Sequence, residues 1–225
     1  MSEHVQAVDK HTCWHCGAAA VSHFCPSCGR IQPVMPSMDY FSFFQLPRRL
    51  NIDSTVLERQ FYDLSRQFHP DYFCQASEPE REFSMDRTAL LNDAYRTLKD
   101  PLRRANYLLE LMGMRATERK SKTPPDLLAE VFELNEEMEE LRAAKRAQAR
   151  EEVAQLRRRI IEMQTRLNKR AAMLHQQLQE NFMHWDAIAD TAIAAEQQAV
   201  LDQISEVLAH MSYINNLIDS IEEEL

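Results

Sequence analysis

The middle of the chain carries apolar residues at the spacing of two amphipathic helices. The first helix begins near Asp53 or Ser54, which are candidates to cap it, and residues at steps of four, three and four form its apolar face: Leu57, Phe61, Leu64 and Phe68. The second helix runs from about Pro79 to Lys99 and has a similar face: Phe83, Leu90, Ala94 and Leu98. Pro70 cannot continue the first helix, so the pattern predicts an antiparallel hairpin with its loop at 69–71.

The flanking segments are predicted to be helical as well. The stretch 39–46 is predicted to form a short aromatic helix that Asp39 caps, and 101–113 a helix with proline in its first turn and glycine as its stop. Apolar residues predict three more helices beyond a polar linker: one from about 126, one over 142–182 and one over 185–225. No proline follows Pro125 to interrupt them. The predicted fold is all-α, ending in an antiparallel three-helix bundle.

Composition supports a mostly helical chain without a membrane span. Only three of the 225 residues are glycine, which is few for the turns of a β-rich fold. No apolar run is long enough to cross a bilayer. The opening residues, MSEHVQAVDK, lack the apolar core of a secretory signal, and their two acids without arginine argue against an intact mitochondrial presequence. A cytoplasmic location is therefore predicted, with the mitochondrial matrix as the alternative if a presequence has been removed.

Charged residues are sorted along the chain. The segment 126–140 has seven acidic residues and no basic one, 142–170 has ten basic and three acidic residues, and 171–225 has ten acidic residues and no lysine or arginine. This order predicts a basic helix packed between acidic helices. The net charge of −9 argues against non-specific binding to nucleic acid.

Four cysteines near the N-terminus have the spacing of a metal site. Cys13 and Cys16 form one Cys-x-x-Cys-Gly unit, and Cys25 and Cys28 form a second unit after a gap of eight residues. Two such pairs let four thiolates close a tetrahedral shell, which is typical of a structural zinc site in a small knuckle or ribbon. Iron is an alternative ion for these ligands. Two disulfides are the other interpretation, which a cytoplasmic location disfavours.

Two histidines close to this motif and the fifth cysteine of the chain have simpler interpretations. His15 and His23 are predicted to be solvated neighbours rather than ligands, because four cysteines already complete the shell. Cys74 is a lone thiol, interpreted as a packing or surface residue. A redox dithiol of the thioredoxin type would need a βαβ context, which this sequence lacks.

The tripeptide His69-Pro70-Asp71 offers a histidine and a carboxylate that could act as base and acid. An enzyme built around this pair is one hypothesis, but no nucleophile, open metal site or phosphate loop accompanies it in the sequence. The tripeptide follows a helix that carries Arg59 and Arg66. A loop that another protein recognises is the alternative interpretation.

Together these motifs resemble a J domain. The helix that carries Arg59 and Arg66, the His-Pro-Asp loop and the stretch NDAYRTLKDPLRRANY that starts at Asn92 occur in the family's order. With DYFSFF from Asp39 and the double cysteine motif, the chain is similar to the HscB co-chaperones of iron–sulfur cluster assembly. The resemblance implies three parts: a four-cysteine segment over 1–36, a J domain with its connecting helix over 37–113, and a scaffold-binding three-helix bundle over 114–225.

The resemblance also implies a function for the loop. Proteins of this family are not enzymes themselves but stimulate the ATPase of a heat-shock-70-class chaperone. The helix bases would meet an acidic chaperone surface while the loop triggers hydrolysis. The residues implied to contact the chaperone are His69, Pro70, Asp71, Arg59 and Arg66.

In the resembled family the C-terminal bundle binds the iron–sulfur scaffold protein IscU and delivers it to the chaperone. The implied contact residues lie on one helix: Leu128, Phe132, Glu133, Glu136 and Glu140. Ala129 stands where a larger apolar residue is usual in the family, and a further contact is expected near Val200. Leucine and phenylalanine at this spacing more often form a core, which is the alternative interpretation.

One further class of function stays open. A zinc-ribbon and helical-bundle adaptor would bind another protein or nucleic acid through the cysteine motif and the arginines at 157–159. The acidic net charge, and the absence of aromatic residues interleaved with that basic run, argue against nucleic acid.

Overall fold

The computed structural model describes four stretches of the chain: residues 11–20, 22–114, 127–191 and 193–225. The opening ten residues and most of the polar linker, including the predicted helix start at 126, lie outside them. The chain divides into two compact units, Met1–Tyr107 and Leu108–Leu225.

Over its described residues, 11–20 and 22–36, the cysteine segment of the first unit contains very little regular secondary structure. Strands β1 (His11–Thr12) and β2 (Ala19–Ala20) pair antiparallel around its first turn. A single antiparallel bridge between Phe24 and Ile31 closes its second turn. The segment is therefore two short hairpin-like turns rather than a sheet with a core of its own.

The two turns share one backbone arrangement. The cysteine that opens each turn, Cys13 or Cys25, donates its N–H to the carbonyl five residues later, at 2.8 Å in both cases. Gly17 and Gly29 close the turns with φ angles of 74° and 71°, a region that glycine adopts without steric cost. The repeated Cys-x-x-Cys-Gly motif thus folds twice into the same knuckle.

Helices make up the rest of the first unit and lead out of it: α1 (Tyr40–Phe43), α2 (Ser54–Phe68), α3 (Glu78–Lys99) and α4 (Pro101–Leu111). A 3-10 turn over Pro70–Phe73 joins α2 to α3. The Asp39 carboxylate accepts the Ser42 N–H at 2.8 Å, and Asp53 accepts the Thr55 N–H at 2.9 Å, so both predicted caps are confirmed. The predicted hairpin and its loop are confirmed as well.

The buried face of α3 differs from the predicted one. It contains polar as well as apolar side chains: Glu80, Ser84, Arg87, Leu91, Ala94 and Leu98. Phe83 and Leu90, which the apolar pattern placed in the core, are only partly buried. The prediction was wrong here because it counted apolar residues alone, whereas Ser84 and Arg87 are buried with hydrogen-bond partners.

Over residues 127–191 and 193–225, the second unit forms three helices: α5 (Leu128–Arg146), α6 (Arg150–Ile188) and α7 (Ala194–Glu224). On the central helix α6 the buried residues recur mainly at steps of three and four, which forms a continuous apolar stripe. The core includes side chains from all three helices: Leu134, Met138, Leu141, Ile160, Leu167, Phe182, Leu201, Ile204 and Ile214. The predicted antiparallel three-helix bundle and the all-α class are confirmed.

The break between α5 and α6 corrects a predicted boundary. The sequence pattern ended the first of these helices at about 142 and the second at 182, but they extend to Arg146 and Ile188. Gln148 takes a φ of 55° at the break, although it is not a glycine. The Ala149 N–H donates to the Ala144 carbonyl at 3.1 Å and closes the turn. Backbone hydrogen bonds, rather than a glycine or a proline, end α5, so the residue types gave no signal.

Ion pairs join the basic helix α6 to the acidic helix α5, as the charge order predicted. Arg159 Nε lies 3.0 Å from Glu137 Oε2, and Arg170 Nη1 lies 3.3 Å from Glu130 Oε1. Pairs of this kind near the surface each contribute about 0–1 kcal/mol, so they set which helix faces which more than they stabilise the bundle.

A carboxylate at the end of α7 joins it to α5. Glu224 accepts from Arg142 Nε at 2.7 Å and from Lys145 Nζ at 3.3 Å. Hydrogen bonds from Arg142 hold the pKa of Glu224 below its usual range. A carboxyl with a depressed pKa stabilises the fold above its unfolded-state pKa, and this contribution is lost as the pH falls.

We expect Glu224→Gln to lower the free energy of unfolding by about 1 kcal/mol or less at neutral pH, since it removes the charge that both cations contact. Urea unfolding followed by circular dichroism measures the change. The difference from the native protein should shrink once the pH falls below about 4.3, where the unfolded-state glutamate is protonated, and vanish below the depressed folded-state pKa. The neighbouring exposed Glu223→Gln is the matched control, and an equal loss from both substitutions would contradict the expectation.

Candidate functional site

The four cysteine sulfurs lie together in the first unit. Their Sγ atoms are all within 4.8 Å of one another. Cys13 Sγ lies 3.7 Å from Cys28 Sγ, and Cys16 Sγ lies 3.7 Å from Cys25 Sγ. A zinc–sulfur distance of about 2.3 Å requires sulfur–sulfur edges of about 3.8 Å in a tetrahedron. All four are free thiols, and their geometry fits a closed four-thiolate metal site.

The protonation of these thiols is uneven. Burial raises the pKa of Cys13, but hydrogen bonds from the backbone N–H groups of Cys16 and His15 lower it to about 6. The Arg30 N–H lowers the pKa of Cys28, whereas burial and the neighbouring sulfurs raise it to about 12. Thiolates this close repel one another, so a divalent cation among them would stabilise the deprotonated forms that bind metal.

The two histidines closest in sequence to the cysteines, His15 and His23, differ in exposure. His15 is exposed, and its ring lies 5.6 Å from that of Trp14. His23 is only 7% exposed, so the prediction that it is solvated was wrong. Its ring lies 4.8 Å from the Phe43 ring and 5.1 Å from the Phe68 ring. His23 is thus a packing residue between the cysteine segment and the helices, because aromatic neighbours and an arginine surround it.

A buried arginine from α3 joins the cysteine segment to the hairpin. Arg87 is fully buried. Its Nε donates to the Gln32 carbonyl at 2.6 Å, and its Nη2 donates to the Pro33 carbonyl at 3.0 Å. Its Nη1 lies 2.5 Å from His23 Nδ1, and its guanidinium carbon lies 5.6 Å from the centre of the Phe68 ring. No carboxylate forms an ion pair with it in the part of the chain that the structure describes.

The protonation states of this pair follow from its burial. Burial and the Arg87 charge lower the pKa of His23 to about 4, so the imidazole is neutral at physiological pH. Burial lowers the pKa of Arg87 to about 10, which leaves the guanidinium charged at neutral pH. A neutral imidazole has one unprotonated nitrogen, and here Nδ1 accepts the hydrogen bond from Nη1.

Two further contacts attach the segment to α3. Arg30 forms a charge-assisted hydrogen bond with the mostly buried carboxylate of Glu80. The Trp14 ring meets the Phe83 ring edge to face, with centroids 5.6 Å apart. Sequence reasoning missed these contacts and the Arg87 contacts, since nothing in either segment marks its partner.

The tripeptide loop at 69–71 lies on the surface at the end of α2. The His69 side chain is 52% exposed and the Asp71 side chain 90% exposed. His69 Nδ1 accepts the Asp71 N–H at 3.3 Å, which shapes the start of the 3-10 turn. The residue before the loop, Phe68, is fully buried, and its carbonyl accepts the Ser84 hydroxyl at 2.6 Å. The loop is exposed but firmly attached at its base.

The two arginines predicted to act with the loop lie on α2. Arg59 and Arg66 are seven residues apart, so one exposed face of the helix carries both. Arg66 Nη2 lies 2.5 Å from Asp63 Oδ1, which compensates part of its charge. Arg59 forms no ion pair with any described residue. The positive face that leads to the loop is therefore small.

The apolar residues predicted for scaffold binding are exposed on α5. Phe132 is 72% exposed and Leu128 is 43% exposed, and Ala129 beside them is exposed too. These side chains are therefore not part of the core, which was the alternative interpretation. Val200 on α7 is only 2% exposed and packs in the core, so the contact expected near it stays a prediction for the side chains around it.

The acidic residues predicted for the same surface differ in their neighbours. Glu140 Oε2 accepts from Arg159 at 3.2 Å, and Glu133 Oε1 lies 4.0 Å from Arg166. Glu136 is exposed and forms no ion pair among the described residues. Glu136 is four residues after Phe132, so the two lie on the same side of α5.

We expect Arg87→Met to lower the free energy of unfolding of the first unit by about 2–3 kcal/mol, because the carbonyls of Gln32 and Pro33 lose their donors. Urea unfolding followed by the fluorescence of Trp14 and Trp185 measures it, with the Trp14 component expected to move. Arg96→Met, at an exposed arginine of the same helix, is the matched control and should change little. Equal unfolding curves for the two variants would refute the structural role of Arg87.

The described helices include none that is both long and apolar enough to pass through a membrane.

No protein-family model matches the chain. Individual relatives do match. The chain is 30% identical over 213 residues to the "Iron-sulfur cluster co-chaperone protein HscB homolog" of Arabidopsis thaliana, covering 95% of this chain and 74% of the relative. It is 31% identical over 215 residues to the human "Iron-sulfur cluster co-chaperone protein HscB", covering 93% of this chain and 80% of that protein.

Solved structures give the same result. The crystal structure of human co-chaperone protein HscB matches with a TM-score of 0.68 and 28% identity, covering 95% of this chain and 98% of that one. Chaperone HscB from Vibrio cholerae matches with a TM-score of 0.55 and 32% identity, covering 83% of this chain and 96% of that one. Similarity along nearly the whole chain, together with the helical hairpin and bundle, supports a co-chaperone role rather than a catalytic one. The chain belongs to the HscB family of iron–sulfur cluster co-chaperones.

Proposed function

We propose that this protein stimulates ATP hydrolysis by a heat-shock-70-class chaperone and delivers the iron–sulfur scaffold protein IscU to it. The observation that carries the proposal is the loop at 69–71, which is exposed at the tip of a helical hairpin while its base is buried. Its side chains bind no other element of the described chain. A loop that is held in place and unused within its own molecule is suited to recognition by another one.

The chaperone contact combines this loop with the exposed face of α2. His69, Pro70 and Asp71 meet the chaperone, while Arg59 and Arg66 supply positive charge for an acidic surface on it. Because Asp63 compensates Arg66, the attraction is modest and acts mainly on the rate of encounter. Hydrolysis takes place in the chaperone, so this chain supplies no catalytic group.

His69→Gln should abolish the stimulation of single-turnover ATP hydrolysis by the chaperone, since the glutamine cannot reproduce the imidazole contacts of the loop. Hydrolysis is measured with and without the purified protein. Gln177→Ala, at an exposed site of α6 outside the proposed contacts, should stimulate as well as the native protein. No stimulation by the native protein, or full stimulation by His69→Gln, would reject the proposed role.

The scaffold contact lies on the exposed side of α5. Leu128 and Phe132 are its apolar anchors, because large apolar side chains on a surface commonly mark a binding site. The acidic residues around them are Glu133, Glu136 and Glu140. Glu136 is the carboxylate most available to a partner, since Glu133 and Glu140 already have arginines beside them.

Phe132→Ala combined with Glu136→Ala should weaken binding of IscU at least about tenfold. The pair removes the apolar side chain that the partner would cover and the carboxylate available to it. Isothermal calorimetry gives the affinity, and circular dichroism checks that helicity is kept. Met173→Ala is the matched control, since Met173 on α6 is also 72% exposed. An unchanged affinity in the double variant would exclude this surface.

We infer that zinc is the ion of the four-cysteine site. Four thiolates in a tetrahedron leave no open position, so the ion has a structural role and takes no part in chemistry. Cys13, Cys16, Cys25 and Cys28 would hold it, and Gln32 Nε2 donates to Cys13 Sγ at 3.4 Å from outside the shell. The cytoplasm is the proposed location, in which such thiols stay reduced.

The adaptor that binds nucleic acid is the weaker candidate. Of the basic run at 157–159, Arg157 donates to the Leu225 carbonyl at 2.9 Å and Arg159 binds two glutamates of α5. These contacts within the bundle leave little positive charge for a phosphate backbone.

A further inference from the structure

We propose that the cysteine segment, when it holds its metal ion, fixes the position of the His69-Pro70-Asp71 loop by enclosing Phe68. Removal of the ion would loosen the loop without unfolding the hairpin. The consequence for the chaperone rests on the proposed function, whereas the coupling between the two parts is a property of the first unit alone.

Phe68 forms the base of the loop. Phe68 is the last residue of α2 and is fully buried, although His69, the next residue, is exposed. The Phe68 carbonyl accepts the Ser84 hydroxyl at 2.6 Å and the Thr88 hydroxyl at 3.2 Å. Its ring and carbonyl therefore decide where the chain leaves the helix and in which direction the loop begins.

The Phe68 ring is surrounded by residues of the cysteine segment and of the helices. Two residues of the cysteine segment form one side of its pocket: the His23 ring at 5.1 Å and the stacked Phe24 ring at 5.8 Å. Both lie directly before Cys25 in the sequence. The remaining neighbours include Arg87 and Phe43, so the hairpin and α1 supply the other side of the pocket.

The cysteines make up most of the small core that holds the cysteine segment in shape. Its small core consists of Cys13, Ala20 and Cys25, with Ala18 and Cys28 packed against them. Three of these five side chains belong to the four-cysteine site, and the described residues of the segment form only one pair of two-residue strands. A segment of this size needs its ion to stay folded. Without the ion, His23 and Phe24 would lose the knuckle that places them against Phe68.

The effect should be confined to the loop and its base. Ser84 and Thr88 belong to α3, which packs on α2, so the hairpin keeps these contacts when the segment loosens, although Arg87 loses its acceptors. The 3-10 turn has a hydrogen bond that reports on its order, from the Tyr72 N–H to the His69 carbonyl at 3.0 Å. Its exchange with solvent deuterium should therefore depend on the metal ion.

Hydrogen–deuterium exchange with mass spectrometry on the full chain tests the coupling. Elemental analysis should give about one zinc ion per chain in the purified protein and none after chelation. We expect amides of residues 69–76 to exchange at least about tenfold faster in the metal-free protein, while those of α7 are unchanged. The Cys13→Ser variant, which loses a ligand, should behave like the chelated protein.

Two variants that keep all four cysteines separate the contact from the ion. Phe24→Ala should retain zinc and still speed exchange of residues 69–76, because it removes one of the two rings that the cysteine segment packs against Phe68. His15→Ala, at an exposed site in the other knuckle, should retain zinc and leave the exchange unchanged. Equal exchange of the loop in zinc-bound and metal-free protein, or an unaffected loop in Phe24→Ala, would overturn the proposal.

Chaperone ATPase measurements on the same samples separate this inference from the proposed function. If the native protein does not stimulate the chaperone while loop exchange depends on zinc, the proposed function fails and the coupling stands. If metal-free protein stimulates as strongly as the zinc-bound form and its loop exchanges equally slowly, the coupling fails and the proposed function stands. We expect zinc-bound His15→Ala to stimulate fully and zinc-bound Phe24→Ala to stimulate at least about threefold less.

Discussion

The guanidinium of Arg87 is the interaction on which the first unit depends. It is buried without a carboxylate among the described residues, so backbone carbonyls of Gln32 and Pro33 and the His23 imidazole must supply its acceptors. Desolvating a charge is costly unless hydrogen bonds replace its water, and here all three nitrogens make one. The acceptors belong to the cysteine segment, so the segment and α3 cannot separate without exposing each other's polar groups.

This arrangement explains why a segment with almost no core of its own is part of a compact unit. The cysteine cluster shapes the backbone whose carbonyls Arg87 binds. Glu80 and Phe83 of α3 contact the Arg30 and Trp14 side chains of the same segment. The Arg87 guanidinium also lies over the ring of Phe68, the residue that precedes the exposed loop. The four-cysteine site and the exposed loop thus share one set of packed side chains, although they are far apart in sequence.

Sequence reasoning succeeded where the signal is local. The paired cysteine motif, the stop at Pro70, the caps at Asp39 and Asp53 and the apolar spacing each act within a few residues, so their structures could be predicted. The Arg87 contacts could not, because the acceptors are main-chain atoms 54 and 55 residues away, and any residue type carries such atoms. The same limit explains His23 and the glutamine that ends α5, whose surroundings rather than identities decide their state.

The pairing of acidic residues on α5 with arginines of α6 has a consequence for any molecule that docks there. Seven acidic residues over 126–140 suggest a strong negative field, but Arg159, Arg166 and Arg170 offset it from within the same bundle. A partner would then gain little from long-range attraction and much from covering the Phe132 ring. Its residence time, rather than its rate of arrival, would carry the selectivity, and ordinary changes in ionic strength would leave the complex nearly as tight.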